Sequence, residues 1–276
     1  MPDPSAAVCI GKRLVSGRLS GKVAIITGGA NGLGAAAGRM FANEGATVVL
    51  TDIDPDGEST AASMNGSVHF VRHDVCDEAG WQNLIADVER RFGRLDILVN
   101  NAGVVELDTP VGITAVSFHR VMAVSVDGMV WGCKHAIPAM ERAGGGSIIN
   151  MSSIAAAQGE PNNASYTAAK GAIDAYTRMV AVYCGQTGAG IRCNSILPNG
   201  MDTPMVRSIP GKKLAAGPDA GLLDTVPGGQ NRRGEADDVA ALVVFLASDE
   251  SRWINGQSIV VDNGASITKG SIPDLK

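Results

Sequence analysis

Tyr166 and Lys170 are the residues of this sequence best suited to proton transfer, and they stand four positions apart in the segment YTAAK. Residues 164–186 are rich in alanine and free of proline, which predicts a helix with both side chains on one face. An ammonium beside a phenol favours the phenolate, whereas a tyrosine with its usual pKa of about 10 is a poor base at neutral pH. Lowering that pKa toward about 7 needs roughly 4 kcal/mol, which a lysine and a second positive centre could supply. The spacing indicates that Tyr166 is a candidate general base, although two residues that are merely neighbours on a helix would show the same spacing.

A glycine-rich loop follows the first predicted strand, residues 23–27. The loop reads GGANGLG over residues 28–34, and the alanine-rich residues 35–43 after it favour a helix. In a strand, glycine loop and helix of this kind, backbone N–H groups can approach a pyrophosphate at the helix N-terminus. The spacing G-x-x-x-G-x-G is weak evidence in a chain with 35 glycines. Its place between a strand and a helix favours nucleotide binding over a plain turn.

Asp52 directly follows the second predicted strand, residues 47–51. An acidic residue about 20 positions beyond the glycine loop can accept hydrogen bonds from both hydroxyls of an adenosine ribose. It would also repel a 2′-phosphate, and neither Thr51 nor Ile53 beside it is basic. The sequence therefore favours NAD as the cofactor, the alternative being an ordinary aspartate at the end of a strand.

Strand patterns alternate with helix patterns along the chain, which predicts right-handed βαβ units. The expected fold is α/β, a Rossmann-like doubly wound parallel sheet in a single domain over residues 21–270. Ligands in such sheets bind beyond the carboxyl ends of the strands, where Ser153 follows a predicted strand, residues 146–152. Residues 1–20 are expected to form a flexible tail, and the proline-containing residues 201–234 a lid. Further strands are predicted at 68–72, 95–99, 191–197 and 258–262, and further helices at 78–92, 118–142 and 237–247.

Composition argues against several classes of function. The net charge of −5 and the scattered basic residues argue against a nucleic-acid partner. No apolar run approaches the roughly 20 residues that span a bilayer, so no membrane segment is expected. The five cysteines show no C-x-x-C pair, which favours reduced thiols in the cytoplasm, and neither they nor the four histidines suggest a metal site.

Taken together, these motifs resemble the short-chain dehydrogenase/reductase family over about residues 19–267. The resemblance implies an NAD(P)-dependent oxidoreductase, commonly a homotetramer that pairs through the two long helices predicted at 118–142 and 164–186. Within the family the chain looks most similar to bacterial hydroxysteroid dehydrogenases and related NAD-linked alcohol dehydrogenases. The motifs that carry the resemblance are TGGANGLG (27–34), Asp74-Val75, NNAG (100–103), Ser153, Tyr166-x-x-x-Lys170, Pro198 and WINGQSIVVDNG (253–264).

The resemblance also implies the roles of individual residues. Tyr166 is expected to be the general base in alcohol oxidation and the general acid in ketone reduction. Lys170 would lower the tyrosine pKa and bind the nicotinamide ribose, and Ser153 would hold the substrate oxygen. The expected cofactor contacts are Gly28, Asn31, Gly32, Leu33, Gly34, Asp52, Ile53, Asp74, Val75, Asn101, Ala102, Gly103, Tyr166, Lys170, Pro198 and Thr203.

Two positions depart from the family pattern. Ser125 stands where the usual catalytic tetrad has an asparagine, and a hydroxyl is shorter than an amide and offers fewer hydrogen bonds. Ser125 is therefore a fourth candidate catalytic residue whose part in a proton relay to Lys170 is open. Asn199 replaces the usual glycine after Pro198, and asparagine tolerates unusual backbone angles better than most residues.

The expected function is NAD-dependent interconversion of a secondary alcohol and a ketone, such as a hydroxysteroid or another hydrophobic cyclic alcohol. An acyl-carrier ketoreductase is an alternative within the same fold, but that activity usually takes NADPH, which Asp52 opposes. A non-catalytic dinucleotide-binding protein is the alternative from another class. It is suggested only by Ser125 and disfavoured by the complete set of Ser153, Tyr166 and Lys170.

Overall fold

The computed structural model describes residues 17–208 and 234–267. Most of the predicted N-terminal tail, most of the predicted lid and residues 268–276 lie outside these ranges. Residues 17–20, at the end of the predicted tail, form a turn in which Leu19 is fully buried. The backbone N–H groups of Gly17 and Arg18 both donate to the Glu44 carboxylate at 3.1 Å, and this fastens the turn to the end of the first helix.

Seven parallel strands form one sheet in the order β3-β2-β1-β4-β5-β6-β7. This order, which runs outward in both directions from β1 and β4, confirms the Rossmann-like doubly wound fold. Strand bounds agree with the sequence prediction to within two residues. The strands are β1 Val23–Thr27, β2 Thr47–Asp52, β3 Ser67–Arg72, β4 Ile97–Asn100, β5 Gly146–Met151, β6 Ile191–Pro198 and β7 Ser258–Val261.

Helices cover both faces of the sheet, and this explains why the central strands read as continuous apolar runs. All five residues of β1 are buried, and so are all four of β4. On one face, α1 and α8 pack against the strands around Phe41 and Val243. On the other face, α3, α5 and α6 pack around Trp81 and Ile173. The helices are α1 Gly32–Asn43, α2 Gly57–Ala62, α3 Glu78–Phe92, α4 Ala115–Met122, α5 Gly128–Ala143, α6 Ala164–Thr187, α7 Pro204–Arg207 and α8 Ala236–Ala247.

The long helix predicted at 118–142 differs from the prediction at its start and in its middle. It begins three residues earlier, at Ala115, because Thr114 and Ser117 form a reciprocal capping box. A single π-helical turn, Ala123–Asp127, then separates α4 from α5. Such turns are rare and often occur at functional sites, and this one contains Ser125. Within the described ranges, no helix is both long and apolar enough to span a membrane.

Gly34 marks the closest approach of α1 to the loop that follows β1. A methyl group built on Gly34 would lie 2.1 Å from the carbonyl oxygen of Gly28. We therefore expect Gly34→Ala to lower the free energy of unfolding by about 1–3 kcal/mol through overpacking. Urea unfolding followed by circular dichroism measures the change.

Gly185→Ala is the matched control, because Gly185 is exposed in α6 and a methyl group there would meet no described heavy atom within 4 Å. It should stabilise the protein by about 0.5–1 kcal/mol, since alanine loses less backbone entropy in a helix. Equal stability of Gly34→Ala and the unsubstituted protein would contradict the close packing of α1.

Candidate active site

Ser153 and Tyr166 meet at the carboxyl edge of the sheet. Ser153 lies two residues beyond β5, and Tyr166 lies in the first turn of α6. The Ser153 side chain lies close enough to the Tyr166 phenol to lower the pKa of that phenol. The backbone N–H of Ala155 donates to Ser153 Oγ at 3.2 Å, which fixes the position of the serine hydroxyl. The structure therefore brings together two of the residues that the sequence predicted as catalytic.

Lys170 lies one turn beyond Tyr166 and is only 3% exposed. Its Nζ lies 5.2 Å from the centre of the Tyr166 ring and donates a hydrogen bond to the Met151 carbonyl at 2.7 Å. Burial lowers the pKa of Lys170 from 10.5 to about 8. The lysine is therefore mostly protonated at neutral pH and places a positive charge beside the phenol.

The phenol of Tyr166 is held in its neutral form when no further charge is present. Burial raises the pKa of Tyr166 above its usual value, and the nearby Ser153 side chain opposes that shift. A neutral phenol carries a proton and can therefore donate it. Acting as a base at neutral pH requires additional stabilisation of the phenolate, which Lys170 and a positively charged group bound beside it can provide.

Ser125 lies close to this group, and its side chain has no hydrogen-bonding partner in the part of the chain that the structure describes. It is 1% exposed, and its hydroxyl is unpartnered among the described residues. A methyl group built on Gly103 would lie 3.5 Å from both Ser125 Oγ and Lys170 Nζ, so the three residues border one space. Leaving a buried hydroxyl unpaired is costly. A water or ligand in this space would satisfy it.

The glycine loop is held by the segment that follows β4. The Asn101 amide donates to the carbonyl oxygens of Thr27, at 2.8 Å, and Gly28, at 3.2 Å. The backbone N–H groups of Asn101 and Ala102 both donate to the Thr27 hydroxyl at 3.0 Å. Asn101 therefore shapes the loop with its side chain. The role of the Thr27 hydroxyl was not predicted, although a threonine at the end of the strand before the loop was a visible signal.

The glycine loop fits the pyrophosphate of a dinucleotide. Gly28 and Gly32 have φ angles of +64° and +56°, which glycine adopts without strain. Asn31 precedes α1, and its side chain makes no capping bond within the described chain, so the first-turn N–H groups face outward. These groups and the helix dipole favour an anion. Leu33 packs on the core. Thr203 lies near the loop, because a methyl group built on Gly32 would lie 3.6 Å from the Thr203 Cβ.

Asp52 is half-buried beside the glycine loop. Its Oδ2 accepts from the N–H of Ala30 and its Oδ1 from the N–H of Asp54, both at 3.1 Å. A carboxylate accepts about four hydrogen bonds, so two ribose hydroxyls can still be bound. The next residue, Ile53, is largely exposed and offers no positive charge for a 2′-phosphate.

The remaining predicted cofactor contacts lie along the same edge of the sheet. Asp74 follows β3, and its Oδ1 accepts from the N–H of Cys76 at 2.9 Å. The Val75 side chain is buried in the core, so only its backbone is placed to contact a ligand. Pro198 ends β6, and Thr203 caps α7 at the start of the predicted lid. Among residues 17–208 and 234–267, no group of three or more potential ligands is placed to hold a metal ion.

Burial of Lys170 should make the protein less stable than a variant with an apolar residue of similar length. Below pH 8 the lysine is protonated in both states, so the folded state carries the full cost of burying the charge. We expect Lys170→Met to raise the free energy of unfolding by about 1–3 kcal/mol at pH 7, the loss of the Met151 bond offsetting part of the gain. The gain should shrink as pH rises from 8 toward 10.5, where only the unfolded chain remains protonated.

Denaturant unfolding at pH 7 and pH 10 tests whether Lys170→Met raises the free energy of unfolding and whether this gain shrinks at higher pH. Lys134→Met is the control, because Lys134 is exposed and pairs with Glu78 at the surface. That change should alter stability by no more than about 1 kcal/mol at either pH. A Lys170→Met variant less stable than the unsubstituted protein at pH 7 would show that burial does not penalise this lysine.

Comparison with known proteins identifies the family to which the chain belongs. Residues 28–266 match the model of a family described as enoyl-(acyl carrier protein) reductase. The chain is 37% identical to an NADP-dependent (R)-specific alcohol dehydrogenase of Lentilactobacillus kefiri, over 90% of this chain and 97% of the relative. It is 39% identical to a 3-beta-hydroxysteroid dehydrogenase of Comamonas testosteroni, also over 90% of this chain and 97% of the relative.

A solved structure, that of levodione reductase, has a similar fold. It superimposes with a TM-score of 0.83 and 31% identity, covering 91% of this chain and all of that chain. The resemblance predicted from the motifs is therefore confirmed. The chain belongs to the short-chain dehydrogenase/reductase family and is an oxidoreductase.

Proposed function

We propose that the protein is an NAD-dependent dehydrogenase that interconverts a secondary alcohol, such as a hydroxysteroid or another hydrophobic cyclic alcohol, and its ketone. The observation that carries the proposal is the cluster of the Ser153 side chain, the Tyr166 phenol and the Lys170 ammonium at one edge of the sheet. This set can hold a hydroxyl oxygen and move its proton. The family relatives act on alcohols or ketones by their names, which supports the same reaction class here.

Each residue of the set has a distinct task in alcohol oxidation. Ser153 donates to the substrate oxygen and orients it toward Tyr166. The Tyr166 phenolate accepts the hydroxyl proton, and Lys170 stabilises that phenolate by its charge. A bound nicotinamide supplies the acceptor for the hydride that leaves the carbinol carbon. In the reverse direction Tyr166 donates its proton to the carbonyl oxygen of the ketone.

Residues around the glycine loop support the choice of NAD. Asp52 presents a carboxylate where the adenosine ribose would lie, and Ile53 provides no compensating charge. The relative from Lentilactobacillus kefiri is NADP-dependent by name, which makes NADP the alternative cofactor for this chain. The carboxylate at Asp52 is the reason for proposing NAD.

Apolar residues are next in sequence to residues of the candidate site, and this supports a hydrophobic substrate. Val104 and Val105 follow Gly103, and Ile154 and Ala155 follow Ser153. The relatives include a hydroxysteroid dehydrogenase, and the solved neighbour is a reductase of levodione. Reduction of an acyl chain on a carrier protein is the second candidate, because the matching family model carries that description.

An exposed apolar stripe on α6 supports assembly into a homotetramer. Met179, Val182 and Tyr183 are all about half exposed on this helix. Such a stripe is unfavourable in water and would be buried if two copies packed α6 against α6. The family resemblance implies pairing through the same helix, and we propose a homotetramer on these grounds. We propose a cytoplasmic location because the four described cysteines are free thiols.

Tyr166→Phe should abolish turnover while it leaves NADH binding nearly intact. The change removes the hydroxyl that transfers the proton, and positioned acid–base catalysis contributes roughly 10²–10⁴-fold. NADH absorbance during oxidation of a panel of hydroxysteroids and cyclohexanols measures turnover, and NADH fluorescence measures binding. Consumption of NADH with an acyl-carrier ketone, and separately with an acyl-carrier enoyl compound, tests the second candidate.

Tyr183→Phe is the control for this experiment, because Tyr183 lies on the same helix outside the catalytic set and phenylalanine keeps the ring that the proposed helix pairing would bury. It should keep the activity of the unsubstituted enzyme. A Tyr166→Phe enzyme that retains more than a tenth of that activity would remove Tyr166 from the proposed role.

Asp52 should make kcat/KM higher with NAD than with NADP. Hydrogen bonds from ribose hydroxyls to a carboxylate contribute about 1.5–3 kcal/mol, whereas a 2′-phosphate with a charge of roughly −1.5 to −2 would be repelled. The preference should exceed tenfold, which needs only about 1.4 kcal/mol. Asp52→Ala combined with Ile53→Arg should reduce or reverse it.

Asp54→Ala is the matched control, since Asp54 is the next carboxylate along the chain and its Oδ1 accepts from the N–H of Asp56. It should leave the cofactor preference unchanged. Equal kcat/KM of the unsubstituted enzyme with both cofactors at physiological salt would show that Asp52 does not bind the ribose.

A further inference from the structure

We propose that Asp108 is a positioning residue, which holds the first turn of α6 so that Tyr166 faces Ser153 in the geometry that proton transfer needs. The proposal rests on the proposed dehydrogenase function of Tyr166. Asp108 lies in the segment between β4 and α4, and it is 8% exposed.

The Asp108 carboxylate binds the residue that directly precedes Tyr166. Its Oδ1 accepts from the backbone N–H of Ser165 at 3.0 Å, and its Oδ2 accepts from the Ser165 hydroxyl. The Ser117 hydroxyl of α4 also donates to Oδ2, at 3.4 Å. One carboxylate therefore joins α4 to the start of α6.

The backbone of Asp108 adds two further bonds to the same region. Its N–H donates to the Asn162 carbonyl at 3.1 Å, and its carbonyl accepts from the N–H of Ala164 at 3.1 Å. With the side-chain bonds, these fix the start of α6 both before and at its first turn. The segment after β4 thus holds the glycine loop at one end, through Asn101, and α6 at the other.

Asp108 caps the N-terminus of α6 in place of a side chain from the helix itself. The residue before α6, Asn163, makes no capping bond with its own side chain within the described chain. The first N–H groups of a helix have no partner inside the helix and need an acceptor. A carboxylate is a strong acceptor at this end because the helix dipole favours negative charge there. A distant residue therefore supplies the cap next to the catalytic tyrosine.

The environment of Asp108 keeps it ionised. Burial alone would raise the pKa of the carboxyl group, but the hydrogen bonds from Ser165, Ser117 and the N–H of Ala164 outweigh it, and the pKa lies below the usual value. At neutral pH the carboxylate accepts bonds with both oxygens. An amide at this position would turn one acceptor into a donor that faces the Ser165 and Ser117 hydroxyls.

The position of Tyr166 depends on this first turn. Misplacing a catalytic group by about 1 Å can cost 10²-fold in rate. We therefore expect Asp108→Asn to lower kcat by roughly 10- to 100-fold. The KM for the alcohol and the affinity for NADH should change by less than about threefold, because the amide reaches neither the glycine loop nor Asp52.

Asp174→Asn is the matched control. Asp174 is a carboxylate of the same helix that accepts from the hydroxyls of Ser195 and Ser258 and pairs with Arg178. Its pKa is also lowered, by the same kind of hydrogen bonds against burial. Asp174→Asn should lower the free energy of unfolding as much as Asp108→Asn does but leave kcat within about threefold. The reason is that Asp174 fastens α6 to β6 and β7, whereas Asp108 binds the residue next to Tyr166.

Ser165→Ala provides a second variant in case Asp108→Asn fails to fold. It removes one hydroxyl bond and keeps the backbone N–H, so it should lower kcat by a smaller factor. The double variant should lose less than the product of the two single losses, because both act through one contact. Equal kcat in the unsubstituted enzyme, Asp108→Asn and Ser165→Ala would overturn the proposal, as would an equal loss in Asp174→Asn.

Titration of Tyr166 tests the proposal without turnover. The tyrosinate absorbance of each protein is measured against pH. Subtracting the absorbance of the same protein with Tyr166→Phe leaves the titration of Tyr166 alone. Because the Ser153 side chain lowers the Tyr166 pKa, loss of alignment in Asp108→Asn should move the titration to higher pH, and Asp174→Asn should not. An unchanged titration in Asp108→Asn would contradict the proposal. An unsubstituted enzyme that turns over no alcohol would instead refute the proposed function alone.

Discussion

The contact between the Ser153 side chain and the Tyr166 phenol is the interaction on which the candidate site depends. It forms only if the end of β5 and the first turn of α6 meet at the carboxyl edge of the sheet. The sheet order places β5 beside β4, whose following segment anchors the glycine loop through Asn101 and the start of α6 through Asp108. One short segment therefore couples the expected cofactor site to the proton-transfer group.

Burial gives the catalytic groups their properties and has a cost in stability. It raises the pKa of Tyr166 and lowers that of Lys170, so both groups are driven toward their uncharged forms. The protein alone thus holds a protonated phenol, and only a further positive charge would favour the phenolate. The cost is the burial of the Lys170 charge, which the lowered pKa of this lysine reflects.

Much of the fold follows from local sequence patterns, because buried parallel strands are continuous apolar runs and α3 is amphipathic from Glu78 to Phe92. The catalytic set is also visible, since the four-residue spacing from Tyr166 to Lys170 is a helical repeat. Other features depend on contacts that no local pattern encodes. Asp108 binds a residue 57 positions away, Lys170 donates to a backbone carbonyl, and the π turn around Ser125 interrupts what the local pattern predicts as one continuous helix.

Deuterium transfer tests the central claim most directly. A hydroxysteroid or substituted cyclohexanol deuterated at its carbinol carbon would be incubated with the enzyme and NAD, and the reduced cofactor and ketone analysed by mass spectrometry. The proposed mechanism predicts one deuterium in each NADH formed, one ketone for each NADH, and neither product from the Tyr166→Phe enzyme. NADH without deuterium, or equal product from the Tyr166→Phe enzyme, would contradict it.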